Sequence, residues 1–348
     1  MKKIFLIKIS LIILLVGCKT LNTDSENNAK EFISAIKLEA SDPTSYANTI
    51  TEKEFEKLLT DFASDDMEGR ETGESGQKKA AAYLKSYYQN LNIPSPATID
   101  YFQYIPKEFF NGSIKKSENV IAFLEGTEYP DELIVISAHY DHLGINANGG
   151  IYNGADDNGS GTTSILQIAE AFAKAKKEGA GPKRSILFLH FTGEEKGLYG
   201  SRYYTENPLF PLKNTVCDLN IDMIGRIDDE HSNAPNYIYI IGSDRLSNEL
   251  HLINEAINNK YTLFNLDYKY NKKSDPNRFY YRSDHYNFAK NDIPIIFYFN
   301  GVHDDYHKIT DEVDKINYDL LTKRSKLIFY TAWELANRKN RILLNADY

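Results

Sequence analysis

Five places in this chain set carboxylates or histidines directly after apolar runs. His139 and Asp141 follow the run 134–137, and Asp156 and Asp157 lie in the loop Gly154-Ala155-Asp156-Asp157-Asn158-Gly159. Glu194 and Glu195 follow 186–191, Asp222 stands in Asn220-Ile221-Asp222-Met223, and His303 to His307 follow 293–299. In open α/β sheets, ligands collect at the carboxyl ends of strands. Gathering this many carboxylates at one sheet end is prohibitive unless cations offset the repulsion. A mixture of histidine and carboxylate is the donor set of catalytic zinc. Two carboxylates beyond the needs of one zinc suggest a pair of metals, about 3.5–4 Å apart, sharing a bridging carboxylate. Each piece alone has a blander reading: His-x-Asp after a strand is usually structural, Gly193-Glu194-Glu195 fits a solvated turn, and Asp222 fits a cap. Their common placement is the specific signal.

The elements that must position these residues alternate along the chain. Strands are expected at 101–105, 120–124, 134–137, 186–191, 219–224, 237–241 and 293–299, from short apolar runs between turn signals. Helices are expected at 77–91, 162–177, 247–258 and 319–338. A further helix should start at Thr51, where Thr51-Glu52-Lys53-Glu54 has capping-box spacing before Phe55, Leu58, Leu59 and Phe62. A weaker helical pattern covers 29–40, and 65–76 reads as a turn-rich loop. This order predicts an α/β fold: a single mixed, mainly parallel sheet sandwiched by helices.

The chain has 348 residues, 26% charged and 42% hydrophobic, which suits a globular domain with an ample core. Its formal charge of −9 argues against binding nucleic acid through phosphate neutralisation. Lys2 and Lys3 precede a mostly apolar stretch, 4–16, too short for a comfortable span, which reads as a signal peptide. Leu15-Val16-Gly17-Cys18 resembles a lipobox, so Cys18 is expected to carry a lipid anchor to a membrane of the bacterial cell envelope, on the exported side. The expected organisation is a signal peptide at 1–17, a tether and weak helix at 18–45, and the catalytic domain at 46–348. Cys217 then has no partner and is expected to be a buried thiol.

From about Glu54 to the last helix the chain resembles the co-catalytic zinc aminopeptidase family that includes the bacterial leucyl and Streptomyces aminopeptidases. Glutamate carboxypeptidase is a more distant relative. The likeness is carried by Met67-Glu68-Gly69-Arg70, His139 and Asp141, Gly154 to Gly161, Glu194-Glu195, Asp222, Ser283-Asp284-His285 and Tyr306-His307. It implies a zinc-exopeptidase fold and two zinc ions per chain, acting on peptides at their N-terminal residues. By position, His139 and Asp222 would hold one zinc, Glu195 and His307 the other, and Asp156 would bridge them. Asp141 would orient His139 through its ring nitrogen, Glu194 would be the general base, and Tyr306 would polarise the scissile carbonyl. Tyr140 and Tyr298 also stand near in sequence. The peptide bond after the bridging residue, Asp156–Asp157, would be cis. His142 and His190 read as structural, His285 as either structural or pocket-lining with Asp284, and His303 as supporting the site from behind. Three rivals share the scaffold: a glutaminyl-peptide cyclase with a single zinc, a carboxypeptidase of the glutamate type, and a non-catalytic binding ectodomain, which would be expected to have lost ligands.

Overall fold

The structure is a computed structural model that describes residues 36–112 and 114–346. The expected signal peptide, Cys18 and most of the helix expected at 29–40 lie outside the described residues, and 36–40 are not helical. Leu38–Tyr348 form one compact unit. Residues 38–45, the end of the segment expected as tether and weak helix, fall within this unit. The Glu39 and Ala40 amides donate to the Glu334 carboxylate at 3.0 Å each, and the Trp333 indole N–H donates to the Ser41 carbonyl at 2.9 Å.

Helix α1 is a single turn, Thr44–Ala47, and α2 is Glu52–Phe62. Thr51 Oγ1 accepts the Glu54 amide at 3.3 Å, as the capping spacing predicts. The reciprocal half of the box comes from a distance: the Thr51 amide donates to Gln167 Oε1 at 2.9 Å. Phe55, Leu58, Leu59 and Phe62 are all buried, on one helical stripe. The stretch 65–76 folds into a tight turn, Asp65–Arg70, before α3, Ser75–Asn90.

The strands are β1 Phe102–Ile105, β2 Ser117–Leu124, β3 Tyr129–His139, β4 Gly144–Ile145, β5 Ile151–Tyr152, β6 Arg184–Phe191, β7 Thr215–Ile221, β8 Tyr237–Ile241, β9 Asn265–Asp267 and β10 Ile295–Phe299. Eight of them form one sheet in the order β1-β2-β6-β3-β7-β10-β8-β9, while β4 and β5 pair separately. The centre is parallel: β3 pairs with β6 and β7, and β7 with β10. Antiparallel β1, β2 and β8 make the sheet mixed. Every residue of β6, β7 and β10 is buried, as expected where a central strand is covered on both faces; β10 is apolar throughout, while β6 and β7 bury polar residues such as His190, Asp218 and Asn220 among apolar ones. Helices α4 Gly161–Lys177, α5 Tyr199–Glu206, α6 Asn248–Ile257, α7 His285–Ala289 and α8 Tyr318–Asn337 complete the layers. The seventh strand runs earlier than expected and stops at Ile221. Asp222 therefore stands just beyond the strand end, where a side chain can face a ligand.

Cys217 is a buried free thiol in β7. Among the described residues no helix is long and apolar enough to cross a membrane.

Candidate metal centre

Parallel pairing brings the carboxyl ends of β3, β6, β7 and β10 to one edge. His139 is the last residue of β3, opposite Phe191 of β6. Glu194 and Glu195 follow β6, and Asp222 follows β7. The loop after β10 delivers His307, whose φ of 56° is a left-handed conformation uncommon for a non-glycine residue.

Two donor triads meet at this edge. His139 Nε2 lies 3.3 Å from Asp157 Oδ1 and 3.4 Å from Asp222 Oδ1. His307 Nε2 lies 3.2 Å from Asp157 Oδ2 and 3.2 Å from Glu195 Oε2. Donors about 2.0–2.2 Å from a tetrahedral zinc stand roughly 3.3–3.6 Å from one another, so each of the two histidines stands at ligand spacing from both of its carboxylates. His139 and Asp157 are buried, and the His307 side chain is 37% exposed. Hence one triad sits deep and the other opens toward solvent.

The shared carboxylate is Asp157, and this corrects the expectation for Asp156. Asp156 belongs to neither group of potential metal donors among the described residues, His139-Asp157-Asp222 and His142-Asp157-Glu195. Its Oδ1 accepts the Gly225 amide at 2.6 Å and its Oδ2 lies 3.1 Å from His303 Nε2. It points away from the triads and anchors the loop, with His303 behind it. The cis bond likewise stands one residue later, at Asp157–Asn158. Asp311 turns the two aspartates apart. Its carboxylate accepts the Asp156 amide at 3.1 Å and the Asp157 amide at 3.0 Å, and Asn158 Nδ2 donates to the Ile221 carbonyl at 2.9 Å.

Asp141 does stand behind His139, by a different contact from the one expected. His139 Nδ1 is 3.1 Å from the Asp141 backbone carbonyl and 3.8 Å from its carboxylate. The carboxylate accepts from Thr72 Oγ1 at 2.6 Å and from the Glu194 amide at 3.2 Å, so it fixes the turn that carries Glu194. Arg70 of the Met67-Glu68-Gly69-Arg70 motif is wholly buried. It donates to the carbonyls of Phe62, Tyr140, Asn153 and Gly154 at 2.7–3.1 Å, clamping the metal loop to α2 and to the end of β3.

Of the three tyrosines, only Tyr306 lines the cavity with His139, Asp157, Glu194 and His307. Tyr140 donates to the Glu118 carbonyl, and Tyr298 to Asn254 Oδ1. The cavity wall opposite is apolar, with Met223, Phe279, Phe297 and Phe299, and carries Arg282. His285 is core: it stacks on Phe297, reaches the Tyr280 carbonyl at 2.8 Å, and burial pushes its pKa down to about 3. Burial does the same to His190, beside the Tyr88 hydroxyl.

The electrostatics follow from crowding. Burial alone would push the His139 and His307 imidazoles down, but neighbouring carboxylates override it. Asp222 and Glu194 hold His139 well above its ordinary value, and Asp157 and Glu195 hold His307 at about 10. Burial works against ionising Asp157, yet hydrogen bonding from His139 and His307 keeps it well below the usual carboxylate range. The carboxylates thus favour positive charge at both imidazole positions, as a cation site does.

The family follows from comparison with known proteins. Residues 119–332 match the model of peptidase family M28, a stretch that includes every donor named above. This chain belongs to peptidase family M28. It is 25% identical over 298 residues to leupeptin-inactivating enzyme 1 of Streptomyces exfoliatus, covering 80% of this chain and 59% of that one. The chain spans less than two thirds of the length of the first curated relatives it matches. Two solved structures share the fold. The LapA aminopeptidase of Legionella pneumophila superposes with a TM-score of 0.67 at 22% identity, over 97% of this chain and 81% of that one. The glutaminyl cyclase of Porphyromonas gingivalis gives 0.62 at 17%, over 81% and 97%. The expected single mixed sheet between helices is therefore the fold of this M28 member, one shared by a peptidase and a cyclase.

Besides Asp157, a second residue of the site is missed by sequence reasoning. His142, read as structural, points its Nδ1 at Glu195 Oε1 from 2.8 Å. The available signal was the i, i+3 pair His139 and His142 at a strand end, which spacing alone does not distinguish from a core histidine.

Proposed function

We propose that this protein is a di-zinc exopeptidase that hydrolyses N-terminal residues from peptides. The observation that carries the reading is the two-sided use of Asp157, with Oδ1 in one donor triad and Oδ2 in the other. His139 and Asp222 would hold one zinc, Glu195 and His307 the second, with Asp157 common to both. The donor chemistry fits: two imidazoles and three carboxylates at ligand-to-ligand spacing, with two further carboxylate oxygens already hydrogen-bonded elsewhere. Bound zinc supplies Lewis acidity toward the scissile carbonyl and lowers the pKa of the attacking water.

The chain's own groups do the rest. Glu194 lines the cavity beside both triads without joining either, so its carboxylate is free to take the water's proton and pass it to the leaving amine. Burial, reinforced by Glu195 and Asp222 against the opposing pull of His139, raises its pKa well above the ordinary carboxylate value. Tyr306 stacks on His307 with ring centroids 3.8 Å apart and would donate its hydroxyl to the carbonyl oxygen as negative charge develops there. The lipid anchor at Cys18, with export to the bacterial cell envelope, belongs to the same proposal and rests on the N-terminal sequence.

The test is the metal content of the purified protein together with amino-acid release from free and N-blocked peptides. Two zinc ions and release only from free N-termini are expected. One tight metal with cyclisation of N-terminal glutamine would assign the cyclase reaction instead.

A further inference from the structure

The non-ligating oxygen of each outer carboxylate in the two triads has its own proton donor. On Asp222, Oδ1 faces His139, while Oδ2 accepts from Ser283 Oγ at 2.7 Å. Ser283 is itself buried and held by Asn220 Nδ2 at 3.0 Å. On Glu195, Oε2 faces His307, while Oε1 lies 2.8 Å from His142 Nδ1. The distances separate the two kinds of neighbour. The triad contacts of 3.2–3.4 Å match donors spaced around an ion, whereas 2.8 Å is a hydrogen bond to a charged acceptor. His142 Nδ1 is also 3.8 Å from Asp157 Oδ2, so His142, Asp157 and Glu195 form a group that could itself face an ion, a role that zinc titration of His142 variants separates.

The His142 ring has one tautomer available for this contact. Its Nε2 is buried with no hydrogen-bond partner among the described residues, so no acceptor there competes for the proton. The proton therefore resides on Nδ1, pointing at Glu195. The ring is fully buried. A Cβ on Gly154, whose φ is +54°, would stand 2.5 Å from His142 Cδ2, so this glycine leaves room for the imidazole. The His142 amide is tied to the Arg70 carbonyl at 3.2 Å.

We infer that His142 is a positioning residue: its Nδ1–H holds Glu195 in a one-oxygen binding mode and so sets the affinity of the solvent-side metal. This rests on the di-zinc reading. Leaving Glu195 Oε1 without its donor would let the carboxylate rotate toward two-oxygen binding or toward Asp157, and partners of this kind are worth about 10–100-fold in metal affinity.

The experiment is chelator-competition titration of zinc into the full protein, carrying His142→Leu or His142→Asn. Leucine keeps bulk and removes the donor. Asparagine loses bulk but sets an amide N–H near the place of Nδ1–H. Expected is a solvent-side dissociation constant about 10–100-fold weaker in His142→Leu, an unchanged deep site, and recovery in His142→Asn to within a few-fold of wild type. A packing role reverses the order, with leucine tolerated and asparagine not. A direct ligand role predicts equal loss in both variants. Either result overturns the inference. Should His142→Leu fail to fold, His142→Asn is compared with His142→Ala, which lacks any donor: asparagine near wild type with alanine about 10-fold weaker or more supports the inference, and equal affinity in the two overturns it. Wild-type protein binding fewer than two zinc ions would instead defeat the di-zinc reading, and is seen before any variant is made.

Discussion

Adjacent aspartates with opposite duties give the sharpest test of the site. Asp157→Asn replaces a carboxylate used at both oxygens, 3.3 Å from His139 Nε2 and 3.2 Å from His307 Nε2. An amide offers one oxygen and one NH2, so at least one metal position loses its donor outright and both lose a shared negative charge. Two imidazoles and two carboxylates remain, and with neutral imidazoles the charge of the donor set falls from −3 to −2. We expect both dissociation constants to rise by at least about 10²-fold, roughly 2.7 kcal/mol per site, and activity to vanish at ordinary zinc. Asp156→Asn is isosteric at a residue whose oxygens face the Gly225 amide and His303. It should keep both metals within about threefold in affinity and lose about 1–3 kcal/mol of stability, the worth of a hydrogen bond to a charged group. Competition titration with a coloured chelator reads the metal, and thermal unfolding reads the stability. The opposite pattern, with Asp156→Asn stripped of both zinc ions and Asp157→Asn loaded, would refute the assignment.

Glu194→Gln should retain two zinc ions while kcat falls by about 10²–10⁴ with little change in KM. Glu195→Gln should instead lose zinc, and near-wild-type rates in both would return Glu194-Glu195 to a solvated turn. The metal-free protein should lose stability as pH rises. His139 and His307 titrate above their unfolded value of about 6.5, so their contribution is complete below that pH and disappears as pH climbs through about 10 for His307. Thermal melts with and without chelator check this, and a metal-free Tm that climbs over that window counts against it. Arg70→Ala leaves the carbonyls of Phe62, Tyr140, Asn153 and Gly154 buried without their donor. It should cost about 3–5 kcal/mol, read by denaturant midpoint, and an unchanged midpoint would show that water replaces the guanidinium.

Much of this protein is legible in its sequence, because hydrophobic periodicity and strand-end chemistry are local. The buried run at 186–191 and the stripe Phe55, Leu58, Leu59 and Phe62 announce their own partners, since an apolar face must be covered. His139, Glu195, Asp222 and His307 could be picked out because each closes or follows a strand that parallel pairing must carry to the same edge. Choosing between Asp156 and Asp157 was beyond such reasoning. Both are aspartates in one glycine-rich loop, and their directions depend on Asp311, more than 150 residues along the chain, accepting both amides. His142 is similar. Its contact with Glu195 exists only because β3 lies beside β6, and nothing within three residues of His142 carries that information. The capping of α2 by Gln167 and the docking of residues 38–45 on Glu334 and Trp333 are likewise long-range. Local sequence determined which groups could bind a cation. Only the tertiary structure decided which oxygen of which aspartate faces it, because a side chain's direction is set by partners that the fold brings from elsewhere.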